Sequence, residues 1–384
     1  MGKLGKIIGA IAVIVIVLAG IGYGVVWNVP GIQDKLMARV IASRLANNQT
    51  PALLSDSALH IYLCGTGSPM PDPTRANACT AVIAGGHIVI IDTGPGSWRN
   101  IAQARLPAEH IDAILFTHLH SDHIGDLGEF AVQSWIAGRV TPLNIWGPAE
   151  LPAPTTASDD SGHKVGTKNV LDVVNGFSVA YDEDAAYRII HHGANYLAPD
   201  GAGMVGHEIP TPKLDELVSV YDRDGLKISA FLVDHGPVKP AYGYRVEYNG
   251  RVAVISGDTK KTESVERFAK GADVLVHEAL NPHMVDMIVR GLKNAGNERL
   301  AKMANDTINY HTTPVEAAEI ANAAHVKLLV FSHIVPPLPN RLAAHMFMQG
   351  VRAARGDGDT KIGHDGMMIT LPGNSDVIDT SDLF

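Results

Sequence analysis

Four side chains able to bind a divalent metal fall within six residues, at His118, His120, Asp122 and His123 in the segment Thr117-His-Leu-His-Ser-Asp-His123. His118 and His120 are separated by one residue, so in extended chain they project to the same side. Asp122 and His123 then lie on the turn that opens the next helix, where they can face a second, adjacent ion. Imidazole and carboxylate suit Zn²⁺, with Mn and Fe as alternatives. The chain has only two cysteines, Cys64 and Cys79, against 18 histidines. Two cysteines are too few for a thiolate zinc site or a disulfide scaffold, so a metal here must be held by nitrogen and oxygen. The competing reading is a polar loop with chance histidines. Four such residues at this spacing, directly behind an apolar strand, argue against it.

Further along the chain, His235, Asp258, His311 and His333 carry no local signal that joins them to this segment. Each has a structural alternative when taken alone: a strand end, a turn aspartate, a helix cap, or a satisfied histidine beside a Pro-rich loop. His191 and His192 lie within residues 148–212 and read as surface or substrate-facing residues, with a bystander role preferred.

Short β-type runs interleaved with helical stretches must position these groups. His60–Cys64, Ala78–Ile83, His87–Ile91, Ile111–Phe116, Leu226–Val233, Tyr242–Tyr248, Arg251–Ile255 and Lys327–Phe331 read as strands. Gly85-Gly86 and Asn249-Gly250 are hairpin turn signals. Thr313-Pro-Val-Glu316 has the marks of a helix start, with Thr as N-cap, Pro at the first helical position and Glu three residues after the cap. The histidine segment and Ser332-His333 both follow strands, as expected of an α/β layered fold with its active groups at strand ends. Residues 148–212 are rich in Pro, Gly, Asp and Ala, and read as an insertion of loops and short helices near the site mouth.

Ile7–Trp27 carries no charge over 21 residues and follows Lys3 and Lys6. At 1.5 Å per residue it spans roughly 30 Å, the thickness of a bilayer core. The expectation is an uncleaved N-terminal transmembrane helix within residues 1–30, a linker at 31–52 and a catalytic domain at 53–384. The catalytic domain is placed outside the cytoplasm, with a secreted protein after signal cleavage as the alternative. Of the 384 residues, 46% are hydrophobic and 18% charged, which excludes global disorder. The net charge of −9 argues against broad nucleic-acid binding, which needs a basic surface.

The segment Thr117–Asp126 resembles the H-x-H-x-D-H signature of the metallo-β-lactamase superfamily. The resemblance extends over most of residues 58–371. Gly65-Thr-Gly-Ser-Pro69, Asp92-Thr-Gly94, Asp234–Arg245, Ser256-Gly-Asp-Thr259, His277-Glu-Ala279, His311-Thr-Thr313 and Ser332-His333 follow the order of the ribonuclease Z and metallo-arylsulfatase branch. It implies a four-layer αββα sandwich binding two Zn²⁺. His118, His120 and His235 would hold one ion, Asp122, His123 and His333 the other, and Asp258 would bridge them. A hydroxide shared by the two zincs would be the nucleophile. Asp122 and His311 are the catalytic candidates, His311 as proton donor to the leaving oxygen. Asp92 would orient metal-binding residues, with His277 and Glu278 in support.

The Pro69–Asn77 loop and the Ile-Val-Pro-Pro-Leu-Pro run after His333 depart from the ribonuclease Z pattern. The reading drawn from this is an arylsulfatase-like hydrolase of a small sulfate or phosphate ester, with nucleic acid disfavoured as a partner. A ribonuclease Z-type phosphodiesterase processing tRNA 3′ ends is the alternative. An inactive, membrane-tethered metal-binding module is the non-enzymatic one. Relatives of this kind often form dimers, so a homodimer is a further expectation.

Overall fold

The computed structural model describes residues 15–16, 19–46, 50–150, 157–158, 164–165 and 168–384. The chain divides into two compact units, Met1–Gln49 and Thr50–Phe384. In the first, helix Pro30–Ala46 occupies most of the stretch read as a linker. The expected transmembrane helix at Ile7–Trp27 lies partly outside the described residues. Among the described residues no helix is long and apolar enough to cross a membrane, so that expectation is unsupported.

Among the described residues, the second unit contains seventeen strands. In chain order they are β1 (Leu59–Gly65), β2 (Cys79–Ala84), β3 (His87–Ile91), β4 (Ile111–Leu115), β5 (Leu143–Pro148), β6 (Ala157–Ser158), β7 (Lys164–Val165) and β8 (Met204–Ile209). There follow β9 (Val218–Arg223), β10 (Leu226–His235), β11 (Val238–Tyr248), β12 (Arg251–Ile255), β13 (Val274–Leu280), β14 (Leu328–Val335), β15 (Asp359–Ile362), β16 (Met367–Leu371) and β17 (Asp379–Asp382). One sheet runs β17-β16-β1-β2-β3-β4-β5-β8 and the other β15-β14-β13-β12-β11-β10-β9, while β6 and β7 pair separately.

The two sheets pack face to face. Leu59, Ile61 and Val82 from one meet Ile228, Tyr244 and Val330 from the other in a single apolar cluster. Helices Ser97–Ala104 and Leu127–Ala137 cover the outer face of the first sheet, and helices Glu263–Phe268 and Pro314–Ala323 that of the second. The result is the expected αββα sandwich. Strands β1, β13 and β14 are buried at every position, because a central strand between a helix layer and a second sheet has no solvent face. That is why they read as largely apolar runs rather than alternating ones, broken only by His60, by His277 and Glu278, and by Ser332 and His333.

Local chemistry sets the turns. Gly85 and Gly86 both have positive φ, as do Asn249 and Gly250, so the hairpins β2–β3 and β11–β12 turn with the residue types those angles require. Thr313 and Glu316 form a reciprocal capping box at the start of helix Pro314–Ala323. Strand β14 runs beyond the expected Phe331 because the chain resumes pairing after a left-handed residue, His333 with φ +43. Cys64 and Cys79, on neighbouring strands with Cα atoms 5.0 Å apart, form a disulfide.

The insertion differs from the loops and short helices expected of it. Of residues 148–212, positions 151–156, 159–163 and 166–167 lie outside the described residues. The remainder contains a 23-residue helix, Val170–His192, and strand β8, which pairs in parallel with β5. The helix starts at a capping box between Asn169 and Asp172. Its periodicity is weak in sequence because only Val170 and Val174 are buried, leaving no continuous apolar stripe to mark the helical repeat.

Candidate metal centre

Strands β3, β4, β12, β13 and β14 run in parallel pairings, and the segments leaving their carboxyl ends meet at one edge of the sandwich. Open α/β sheets place their ligands at such an edge. Residues 117–123 leave β4, Ser256–Asp258 leave β12, and His333 sits near the end of β14. Tyr244 from β11 donates its hydroxyl to the Phe116 carbonyl at 2.6 Å, and the Tyr242 amide donates to the Thr117 carbonyl at 2.9 Å. The two sheets are thereby tied together directly beneath the histidine segment.

Gly257 makes the close approach that this requires. Its φ is +60°, and a Cβ there would lie 2.4 Å from the Tyr242 carbonyl oxygen. Gly94 does the same at the opposite wall, where a Cβ would meet the Asp122 carbonyl oxygen at 2.3 Å.

The side chains expected to bind metal converge. Ligand atoms of His118, His120 and His235 lie within 4.8 Å of one another, as do those of Asp122, His123 and His333, and those of His118, His123 and Asp258. Asp258 Oδ2 is 3.3 Å from His333 Nε2, 3.5 Å from His123 Nε2 and 3.9 Å from His235 Nε2, between the two groups. Asp122 Oδ2 lies 3.2 Å from His333 Nε2 and 3.6 Å from His123 Nε2. All are buried except His120, which stands at the mouth.

Hydrogen bonds aim these rings. Asp92, itself held at φ +60, accepts from the Thr117 amide, the Thr117 hydroxyl and His123 Nδ1, each at 2.8 Å. His235 Nδ1 donates to the Tyr310 carbonyl at 3.1 Å. With Nδ1 engaged, Nε2 of both His123 and His235 points into the cluster, buried and without a hydrogen-bond partner. An unpaired buried ring nitrogen costs free energy unless something binds it. Buried imidazole nitrogens and two carboxylates around one small space are the donor set that two zinc-like ions require, so the residues fit such a pair.

The electrostatics agree with that fit. Burial holds His118 well below the ordinary histidine range and takes His235 down to about 4, so both present a lone pair near neutrality. Burial works against charge at His123 too, but Asp258, Asp92 and Asp122 outweigh it and hold this ring well above the ordinary value. Burial would raise Asp122, yet His123 and His333 pull it to about 2.

His311 also joins the cluster. Its ligand atom groups with those of His235 and Asp258, and with those of Glu278 and His333. Its ring stacks on His333 with centroids 5.6 Å apart and planes at 19°. Nδ1 is 3.2 Å from Glu278 Oε1, which also accepts from the Thr312 amide at 2.8 Å and the Thr259 amide at 3.3 Å. Burial opposes its charge, but Glu278 and Asp258 prevail and raise it to about 9. His277 lies further back, buried, with Nδ1 bonded to the Glu278 carbonyl at 2.7 Å. His191 and His192 sit exposed at the end of helix Val170–His192, outside every such group among the described residues.

Sequence reasoning missed Tyr310. Its carbonyl fixes His235, and its ring packs 5.2 Å from His235 and 4.9 Å from His311. Only its place beside His311 in the chain could have pointed to it.

The family described as Metallo-beta-lactamase superfamily matches residues 73–308. A ribonuclease Z of Mycobacterium marinum is 36% identical over 283 residues, covering 73% of this chain and 88% of the relative. A ribonuclease Z of Mycobacterium avium is 34% identical over 280 residues, covering 73% and 87%. Among solved structures, the short form of human tRNase Z superposes with a TM-score of 0.53 at 20% identity, covering 82% of this chain and 99% of that one. The metallo-beta-lactamase fold protein YhfI of Bacillus subtilis gives 0.53 at 16% identity, with the same coverage.

Proposed function

The chain belongs to the metallo-β-lactamase superfamily, and from that premise we propose that it is a metal-dependent phosphodiesterase of the ribonuclease Z kind, acting on RNA. The single observation that carries the reading is the convergence of His118, His120, Asp122, His123, His235, Asp258 and His333 in a chain about one-third identical to curated ribonucleases Z. The sulfate-ester reading favoured by the sequence gives way to its alternative, since the relatives matched over most of their length are named for RNA cleavage. For the same reason the expectations of a small-molecule substrate and against nucleic acid are not supported.

His118, His120 and His235 would hold one metal ion, Asp122, His123 and His333 a second, with Asp258 shared between them. Two such ions, when bound, lower the pKa of water toward neutrality and neutralise charge on a transferring phosphoryl group. The protein's own groups do the rest. Asp92 and the Tyr310 carbonyl hold their partner rings with Nε2 facing inward. Glu278, beside His311 Nδ1, favours the protonated ring, and His311, which sits against His235 and His333, would give its Nε2 proton to the departing oxygen.

The working compartment is proposed to lie outside the reducing cytosol. The support is the Cys64–Cys79 disulfide, a bond that persists in oxidising surroundings, together with the apolar N-terminal run. An RNA or nucleotide diester met outside the cytosol is therefore a substrate to test beside a tRNA precursor.

The test is turnover by the zinc-loaded full chain of bis-p-nitrophenyl phosphate, p-nitrophenyl sulfate and a tRNA precursor carrying a 3′ trailer, with His120→Ala as control. Cleavage of diester and RNA, lost in the variant, is expected. Preferential sulfate release would overturn the proposal. No turnover of any ester would favour the binding-module alternative.

A further inference from the structure

An apolar groove of about 580 Å³ lies between the loop joining β1 to β2 and the run that follows His333, and it has no role in the chemistry described above. One wall is Pro71–Thr74, from the loop joining β1 to β2. The other is the run that follows His333, from Pro336 to Pro339, and the floor is helix Pro282–Asn294 with Met284, Met287 and Ile288. The two walls are tied at their roots, where the Ile334 amide donates to the Thr66 carbonyl at 3.0 Å and Gly67 bridges to Ile334. Three residues of chain reach at most about 10 Å, so Pro336 stands within that distance of His333. The groove thus begins within about 10 Å of one of the candidate metal-binding residues.

Its lining defines what it can take. Among the described residues Asp72 is the only charged one lining it, and its carboxylate already accepts from the Thr74 amide at 2.8 Å and the Thr74 hydroxyl at 2.7 Å. No cation among the described residues lines it, so a nucleic-acid backbone would find no counter-charge from them there. Three methionines, Met284, Met287 and Met346, and several proline rings offer polarizable, weakly polar surface, which favours the face or edge of an unsaturated ring. The volume falls within the range of small-molecule sites. Met287 is 49% exposed, so its side chain is open to an incoming ring.

We infer that this groove is a substrate subsite for one flat, uncharged ring attached to the scissile diester, a nucleobase or an aryl group. The inference rests on the phosphodiester reading of the metal centre. A single ring held there, within reach of a diester at the metal centre, would be bound by shape and dispersion with little base discrimination.

The experiment uses the zinc-loaded full chain with methyl-labelled methionine, titrated with p-nitrophenyl phosphate, thymidine 5′-monophosphate and inorganic phosphate. Met284, Met287 and Met346 methyl signals are expected to shift with a ring-bearing probe and to stay still with inorganic phosphate. Met287→Lys, on the exposed side of its helix, is expected to raise KM for bis-p-nitrophenyl phosphate roughly 5- to 10-fold with kcat little changed, and Met287→Leu to restore it. A response to only one of the two ring probes would support the subsite and say which ring it takes. Signals that ignore both ring probes, or that move equally with phosphate alone, would overturn it. Because the methionine shifts need no turnover, they would stand even if the protein cleaved no diester, so the two readings fail separately.

Discussion

Asp92→Asn separates the metal centre from the fold that carries it. Asp92 is buried and makes three contacts, to the Thr117 amide, the Thr117 hydroxyl and His123 Nδ1, all at 2.8 Å. Asparagine keeps the shape, and its carbonyl oxygen can still accept from the Thr117 amide. Its NH₂ group can then donate to the Thr117 hydroxyl, but it presents a donor to His123 Nδ1–H, where an acceptor is needed. The ring must change tautomer or turn, and either way Nε2 loses its fixed aim. Loss of such an orienting partner weakens metal binding about 10- to 100-fold, or roughly 1.4–2.8 kcal/mol. The weakening should fall on the ion proposed for Asp122, His123 and His333. The His118–His120–His235 ion should be affected less, through Thr117 alone. Chelator competition resolving two binding steps is the assay, with a denaturation curve of the metal-free variant as control. A weaker step within a factor of about two of the unmodified protein would refute the reasoning, as would equal loss at both steps.

His311→Asn should leave metal content intact while lowering kcat on a diester about 10²- to 10⁴-fold, measured as steady-state turnover, because it removes a positioned proton donor. An unchanged kcat would leave His311 as a helix-start residue only. Replacing both Cys64 and Cys79 by Ser should cost about 3 kcal/mol of stability, read from urea denaturation, since the bond closes a loop with a sequence separation of 15. Asp365 accepts from the Thr66 amide and hydroxyl, the Ala76 amide and the Asn100 side chain, and burial raises its pKa. Its folded form therefore binds a proton more readily than the unfolded chain, so its contribution to stability falls as pH rises from the ordinary carboxylate value through the raised one. The unmodified protein minus Asp365→Asn should show that decline in denaturation midpoints across this window, and a flat difference would contradict it.

The parts legible in the sequence are those whose cause is local. His118, His120, Asp122 and His123 are neighbours in the chain, so their shared direction follows from strand geometry and a turn. The Gly85-Gly86 and Asn249-Gly250 hairpins and the Thr313 cap announce themselves through residues suited to one backbone conformation. His235, Asp258 and His333 are different, because nothing near them says where they point. Only the order of motifs shared with known relatives placed them together. Helix Val170–His192 was hidden because its long exposed surface carries no apolar stripe, although the Asn169–Asp172 cap was there to be read. The Cys64–Cys79 bond was hidden because their proximity depends on the pairing of β1 with β2. The groove beside His333 was hidden for a related reason, since its walls are loops that meet only once Gly67 pairs with Ile334.

The central claim is that seven side chains from four separated segments grip two metal ions. Metal content of the purified full chain after zinc loading and removal of free metal tests it most directly. Two equivalents per chain are expected, with one retained in His235→Ala and one in His333→Ala. A chain that retains no metal, or variants that bind as much as the unmodified protein, would contradict the account.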